Sequence, residues 1–201
     1  MSRSRAIDDE IVLDRAVMLF WQRGYAATSI RDLSVATGLS AAALYHRYHD
    51  KDGLFVEALS RYADEGLIER LARLSDLPDP LSAISGFLDE LIDMSINDQD
   101  RRGCFLVNTV LDGAKLSPAA RDMVRKRLGE VETFFRDQLR RAQNKDGIDP
   151  EIDPGHAAEA LLGTVLAIRV MARLDPDPGR LRRLASTAVA SLTFSPRQHS
   201  R

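Results

Sequence analysis

The residues best suited to binding chemistry lie together in residues 40–51, SAAALYHRYHDK. Three small side chains there are followed by hydrogen-bonding rings and cations: Ala41, Ala42 and Ala43, then Tyr45, His46, Arg47, Tyr48, His49 and Lys51. Phenol, guanidinium and ammonium groups donate hydrogen bonds to phosphate oxygens. Alanine side chains let a helix approach a groove closely, and their methyl groups pack against the methyl group of thymine. The stretch therefore predicts a surface that contacts DNA.

The same sequence does not assemble a set of catalytic side chains. His46 and His49 have no plausible Ser, Cys or carboxylate partners in the helical half, and the lone thiol, Cys104, has no obvious base. No glycine-rich phosphate loop appears, and a metal held by His46, His49 and Asp50 would be a surface accident. We therefore expect no enzymatic activity, no cofactor and no metal site.

Composition limits the class of protein further. The chain has 201 residues, 44% of them hydrophobic and 29% charged, which supports a sizeable core and argues against wholesale disorder. Because the formal net charge is −2, nucleic-acid binding must depend on where the charges lie. The single cysteine excludes an intramolecular disulfide and a cysteine-built zinc site. No apolar run reaches membrane length and no signal peptide is apparent, so we expect a cytoplasmic protein with no membrane partner.

Helices are the elements that would position these residues. Caps, glycines and prolines predict an all-α fold of about nine helices: 8–23, a short helix capped by Thr28, one capped by Ser40, a longer one capped by Asp50, then 80–96, 103–114, 118–143, 154–174 and 178–192. The segment SDLPDP, residues 75–80, stops a helix and indicates a boundary between two regions.

Two of the short helices fit a helix-turn-helix. Gly38 supplies the left-handed residue that the turn needs, and Leu33, Leu39 and Leu44 are apolar. The second helix of such a motif lies in the major groove with its N-terminal residues toward the bases. The alternative is that the alanines are merely good helix formers on a surface helix.

Residues 12–55, VLDRAVMLFWQRGYAATSIRDLSVATGLSAAALYHRYHDKDGLF, resemble the N-terminal domain of TetR/AcrR family transcriptional regulators. The matching positions are Phe20, Arg23-Gly24-Tyr25, Thr28-Ser29-Ile30, Leu33, Gly38-Leu39-Ser40, Leu44-Tyr45, Tyr48, Asp50-Lys51 and Leu54. The resemblance implies a three-helix helix-turn-helix domain in residues 1–50, a helical effector-binding and dimerisation domain in 51–194, and a tail in 195–201. It also implies a homodimeric repressor that leaves a pseudo-palindromic operator when a small-molecule effector binds.

The resemblance assigns a role to each DNA-binding candidate: Thr28 caps a helix and bonds a phosphate; Ser40, Ala41, Ala42 and His46 face bases or the groove wall; and Tyr45, Arg47 and Lys51 hold the backbone. Arg3 and Arg5 either reach DNA or belong to a solvated tail. The sequence departs from the family at Ser34, where alanine is usual, and in lacking long polar side chains at residues 41–43. We therefore expect specificity to depend on His46, methyl contacts and DNA shape.

The last two predicted helices carry more apolar surface than one domain needs. The first is apolar around most of its circumference, and the second has a narrower stripe. Two such helices from each of two chains would form a four-helix interface, as the resemblance also implies. The predicted dimer contacts are Leu161, Val165, Ile168, Leu181, Leu184, Ala188 and Leu192. The alternative is that both helices close a monomeric core.

A polar stripe runs along the central helix within residues 101–116, RRGCFLVNTVLDGAKL. The resemblance implies that this helix borders an effector pocket. The predicted pocket residues are Phe87, Leu91, Met94, Cys104, Phe105, Asn108, Asp112 and Phe134. The alternatives are that Asn108 satisfies a backbone group, that Asp112 lies at a solvated helix end, and that Cys104 is a buried small hydrophobe.

The sequence also allows an alternative function that does not involve DNA. The sparse alanine face and the near-neutral net charge favour a helical protein that binds a small molecule or a partner and has no DNA role. If the DNA-binding interpretation is right, the helix beginning at Lys51 is the element that couples the effector to the helix-turn-helix.

Overall fold

The computed structural model describes residues 8–112 and 116–193, and over these residues the chain is helical without a strand. The helices are α1 Asp9–Arg23, α2 Ile30–Thr37, α3 Ala41–Tyr48, α4 Lys51–Ala63, α5 Glu69–Ser75, α6 Pro80–Asn97, α7 Phe105–Leu111, α8 Pro118–Gln143, α9 Pro154–Leu174 and α10 Pro178–Thr193. A π-helical turn, Asp64–Ile68, joins α4 and α5 without a break. The predicted all-α fold of about nine helices is confirmed. The predicted tail, Arg3 and Arg5 lie outside the described residues.

Side-chain caps begin α4 and α9 where the sequence predicts them. Asp50 accepts a hydrogen bond from the Gly53 N–H at 2.7 Å, and Asp153 accepts one from the His156 N–H at 2.8 Å. A proline follows the cap of α6 and of α9, at the position where a helix leaves its N–H groups unpaired. Within the described ranges, no helix is both long enough and apolar enough to cross a membrane.

The described residues group into two compact units. The first runs up to Leu67 and includes Cys104–Lys126; the second contains Ile68–Gly103 and the chain from Arg127 onward. These units differ from the predicted division at residue 51, because α4 packs against α1 and α3 and therefore belongs with the helix-turn-helix.

Aromatic side chains build the core of the first unit. Phe55 of α4 packs against Phe20 of α1, with ring centroids 4.9 Å apart, and against Phe105 of α7 at 5.7 Å. All three rings are almost completely buried, and each such burial is worth about 1.5–3 kcal/mol. This cluster fixes α1, α4 and α7 behind the two short helices α2 and α3.

The second unit is built around α6, which packs against α5, α9 and α10. Phe87 of α6 meets Phe134 and Phe135 of α8, with ring centroids 5.7 and 5.2 Å away. Arg169 of α9 is buried and donates a hydrogen bond to the Ser95 hydroxyl of α6 at 2.8 Å. This bond compensates part of the cost of burying a guanidinium group.

Candidate nucleic-acid interface

The predicted cap of α2 is wrong by one residue. The Ser29 side chain accepts a hydrogen bond from the Asp32 N–H at 3.1 Å, and the Asp32 carboxylate accepts one from the Ser29 N–H at 2.9 Å. Hydrogen bonds from the Ser29 hydroxyl and backbone hold the pKa of Asp32 below its usual value. The acidic residue three positions after Ser29 was the signal for this reciprocal cap.

Thr28 instead stabilises the loop between α1 and α2. Its side chain is buried, and its hydroxyl donates a hydrogen bond to the Gly24 carbonyl at 2.8 Å. Because the Thr28 hydroxyl has one hydrogen to donate, the predicted hydrogen bond from Thr28 to a phosphate requires that the bond to the Gly24 carbonyl be broken.

Hydrogen bonds from both helices close the turn of the helix-turn-helix. Gly38 has φ 77° and ψ 7°, the left-handed conformation that the sequence predicts. The Ser34 hydroxyl donates to the Leu39 carbonyl at 2.5 Å, and the Leu39 N–H donates to the Thr37 hydroxyl oxygen at 3.3 Å. Ser34, the departure from the usual alanine of the family, therefore helps to hold the turn between α2 and α3.

The exposed side of α3 carries residues predicted to contact DNA, either its bases or, for Tyr45, its backbone. Ala41, Ala42 and His46 are exposed, and Tyr45 has 49% of its surface exposed. Leu44 points the other way and is 2% exposed, so it anchors α3 on the core. Ser40 caps this helix, accepting a hydrogen bond from the Ala43 N–H at 3.2 Å. The structure thus brings these candidates onto one accessible face, while their contacts with bases stay a prediction.

The two cations predicted to hold phosphates both have partners within the chain. Lys51 Nζ donates to the carbonyl oxygens of Tyr25 and Thr28, each at 3.0 Å, and lies 4.0 Å from the centre of the Tyr25 ring. Arg47 Nη1 lies 2.5 Å from Asp9 Oδ1. Lys51 therefore anchors the loop that precedes α2, and Arg47 ties α3 to the first turn of α1.

A strained junction, which the sequence did not predict, connects α3 to α4. His49 has φ 68° and ψ −50°, and the Asp50 N–H donates to the Tyr48 carbonyl at 2.8 Å. This is a γ-turn of the rare positive-φ type. A Cβ atom added to Gly53 would lie 2.1 Å from the Tyr48 carbonyl oxygen, so the junction requires glycine there. The available signal was a glycine in the first turn of a helix, where alanine is ordinarily more stable.

The predicted effector residues divide between the two units. In the first unit, the buried Phe105 stands edge-on to Tyr62, the Tyr62 hydroxyl lies 3.9 Å from Cys104 Sγ, and Asp112 is exposed at the end of α7. Asp112 Oδ2 would lie 3.0 Å from a Cβ atom added to Gly24, so α7 reaches the loop after α1.

The remaining effector candidates belong to the second unit. Phe87, Leu91 and Phe134 are buried there, whereas Met94 is 40% exposed. Asn108 lies on α7 in the first unit and is half-buried. Ligand binding by any of the eight stays a prediction.

The predicted dimer contacts differ in how much of their surface is accessible. Five of them are already enclosed by their own chain, with exposures of 0–5%: Leu161, Val165, Ile168, Leu181 and Leu192. Such side chains offer little surface to a second copy, and their contact with one stays a prediction. The exposed side of α9 and α10 is instead a groove of about 460 Å³, lined by Thr164, Ala167, Arg180, Arg183, Leu184, Thr187, Ala188 and Ser191. Leu184 and Ala188 are the predicted contacts that this groove includes.

Known proteins share both regions of the chain. Residues 12–58 match the family described as bacterial regulatory proteins, tetR family, and residues 80–188 match the tetracyclin repressor-like C-terminal domain. The HTH-type transcriptional repressor ComR of Escherichia coli strain K12 is 30% identical over 191 residues, which are 93% of this chain and 90% of ComR. The uncharacterized HTH-type transcriptional regulator YezE of Bacillus subtilis strain 168 is 25% identical over 90% of this chain and 94% of its own.

A solved structure with bound DNA has the same fold. A cysteine mutant of the TetR family transcriptional regulator CifR, complexed with 26-bp double-strand operator DNA, superposes with a TM-score of 0.84 and 28% identity. The match covers 94% of this chain and 99% of that one. Both domain matches and the full-length relatives place this chain in the TetR family of bacterial regulatory proteins.

Proposed function

We propose that this protein is a transcriptional repressor that binds a pseudo-palindromic operator as a homodimer and releases it when a small-molecule effector binds. The observation that carries the proposal is the exposed face of α3, where Ala41, Ala42, Tyr45 and His46 stand on a rigidly closed helix-turn-helix. The repressor ComR and the operator-bound CifR support it as relatives. Since operator DNA lies in the bacterial cytoplasm, we propose that the protein acts there.

In this proposal α3 enters the major groove with its N-terminal turn toward the bases. Ala41 and Ala42 allow close approach and supply methyl groups for thymine, and His46 supplies a hydrogen bond to a base edge. The Tyr45 hydroxyl donates to a phosphate. An ammonium group has three donors, so Lys51 can keep its two carbonyl partners and offer the third N–H to a phosphate.

The proposal requires a dimer, because two α3 helices must meet half-sites about 34–36 Å apart. We assign the dimer contact to the exposed groove of α9 and α10 rather than to the buried leucine positions. Ala167, Thr187 and Ala188 are small, so a helix of a second copy can approach closely, and Leu184 supplies apolar surface.

Effector binding acts through α7 in this account. Phe105 of α7 packs against Phe55 and Tyr62 of α4, and Asp112 approaches the loop at Gly24. A ligand that touches α7 therefore biases both α4 and the loop ahead of α2. Differential affinity of the ligand for two arrangements of these elements is all that release requires.

A gel-shift experiment with the DNA that flanks the protein's own coding region tests the function. We expect a discrete complex that weakens as salt rises, since phosphate contacts release counterions. Failure to bind at low salt would favour the rival function, a helical protein that binds a small molecule or partner. Mass spectrometry of protein purified from its native host would identify a retained effector.

A further inference from the structure

The ion pair between Arg47 and Asp9 joins the last turn of α3 to the first turn of α1. The two residues are 38 positions apart in the chain, and Arg47 Nη1 lies 2.5 Å from Asp9 Oδ1. The side chain of Arg47 is 29% exposed, whereas that of Asp9 is 72% exposed. The carboxylate is therefore the more accessible member of a pair that borders the exposed face of α3.

A carboxylate and a phosphate compete for the same guanidinium group, because both accept its paired N–H donors. While Asp9 holds Arg47, the pair carries no net charge and releases no counterion from DNA. The exposed carboxylate also repels any phosphate that comes within a Debye length, about 10 Å at 0.1 M salt. The cation predicted to grip the DNA backbone is thus masked by its own chain.

We propose that Asp9 competes with DNA phosphates for Arg47 and so lowers the affinity of the protein for DNA of every sequence. This inference rests on the proposed DNA-binding function and names a residue that regulates it. Phosphate contacts carry no base information, so the competition acts equally on operator and unrelated DNA. Its consequence is that the protein dissociates more readily from operator and non-specific sites alike, while the ratio of the two affinities stays the same.

The neighbouring residue provides a matched control. Glu10 lies in the same first turn of α1, and its carboxylate contacts Arg61 of α4 at 3.7 Å. Arg61 keeps a second partner, Asp14, at 3.0 Å. Glu10→Gln removes one negative charge from this turn, as Asp9→Asn does, but leaves Arg47 paired. The difference between the two variants therefore separates the loss of the Asp9–Arg47 ion pair from a general change in charge.

The experiment measures fluorescence anisotropy with the operator duplex and an unrelated duplex of equal length, between 50 and 200 mM salt. We expect Asp9→Asn to bind both duplexes about tenfold more tightly at 50 mM salt and to steepen the salt dependence by about one counterion. Glu10→Gln should change affinity by less than about threefold, because the Glu10 carboxylate contacts Arg61 and the loss of one exposed charge is screened by salt. In an Arg47→Ala background, Asp9→Asn should have no larger effect than Glu10→Gln.

Equal gains in DNA affinity from Asp9→Asn and Glu10→Gln would overturn the inference. Weaker DNA binding by Asp9→Asn would also overturn it, because Asp9 would then orient Arg47 toward DNA. Asp9→Ser repeats the measurement with a smaller side chain, and circular dichroism melting verifies that each variant is folded. Failure of the wild-type protein to bind either duplex at 50 mM salt would instead refute the DNA-binding function, so the two failures are distinguishable.

Discussion

The helix-turn-helix and the α9–α10 pair share one feature. In both, several residues that the sequence predicts to contact a partner instead make contacts within their own chain. In the helix-turn-helix, Lys51, Arg47 and Thr28 bind other parts of the chain. The accessible face of α3 carries Ala41, Ala42, Tyr45 and His46. In α9 and α10, the core is filled by Leu161, Val165, Ile168, Leu181 and Leu192. The accessible groove carries Leu184 together with alanines, hydroxyls and arginines. In both regions, residues predicted to make contacts instead hold the fold, and we propose that the accessible residues between them form the binding surfaces.

The largest effect should come from the junction that aims α3. Gly53→Ala places a Cβ atom against the Tyr48 carbonyl oxygen, so the backbone must shift and the γ-turn at His49 must open. We expect a loss of about 4 kcal/mol in the free energy of unfolding, measured by urea denaturation. Gly129→Ala is the control, since its Cβ meets nothing within 4 Å, and it should be neutral or stabilising by about 1 kcal/mol. Equal effects of the two substitutions would contradict the claim that the junction between α3 and α4 requires glycine at residue 53.

The next effect separates core from interface in α9 and α10. Ile168→Ala empties a fully buried position and should cost about 3 kcal/mol of unfolding free energy. Ala188→Glu should leave the fold intact but dissociate the dimer, because it places a carboxylate in the exposed groove. Urea denaturation and sedimentation velocity measure the two outcomes. The reverse pattern, a stable monomer from Ile168→Ala and an intact dimer from Ala188→Glu, would restore the original leucine interface.

The anchoring role of Lys51 predicts a smaller loss. Lys51→Met keeps the length of the side chain but removes both hydrogen bonds to the loop carbonyls, which we expect to cost about 2 kcal/mol. Faster hydrogen exchange in α2 should accompany it. Lys145→Met is the control, since this exposed lysine makes one bond, to the Pro78 carbonyl, and should change stability by less than about 0.5 kcal/mol. Unchanged exchange in α2 would mean that Lys51 serves DNA alone.

The smallest effect concerns the turn itself. Ser34→Ala removes the hydrogen bond to the Leu39 carbonyl and should destabilise the protein by about 1 kcal/mol, even though alanine is usual in the family. Ser186→Ala, on the exposed surface of α10, should change the melting temperature hardly at all. Equal melting temperatures for both variants would show that the Ser34 bond adds nothing.

The helix boundaries were predictable because they depend on residues only a few positions apart in the sequence. The caps at Ser40 and Asp50 and the left-handed Gly38 each depend on their immediate neighbours, and the structure places them as the sequence predicts. The wrong prediction at Thr28 is also a local one, because Thr28 and Ser29 are adjacent and either hydroxyl could cap α2. The face of a helix is a tertiary property. Ala167 is exposed and Ile168 is fully buried, although α9 is apolar on most sides.

The site was less predictable because its cations have several possible partners. The sequence identifies Lys51 and Arg47 as hydrogen-bond donors, but it cannot show that Tyr25 and Asp9 come within reach once α1 packs on α4. The strain at His49 depends in the same way on how closely Gly53 approaches Tyr48. These contacts arise only when the helices are assembled.

Operator binding by an Ala42→Glu variant tests the central claim most directly. Ala42 is exposed on α3, so glutamate is compatible with the fold but would bring a negative charge into the DNA groove. We predict at least about a 100-fold loss of operator affinity in fluorescence anisotropy, while Ala72→Glu on the exposed surface of α5 binds like the wild-type protein. Wild-type affinity in the Ala42→Glu variant would contradict the claim that this face of α3 reads DNA.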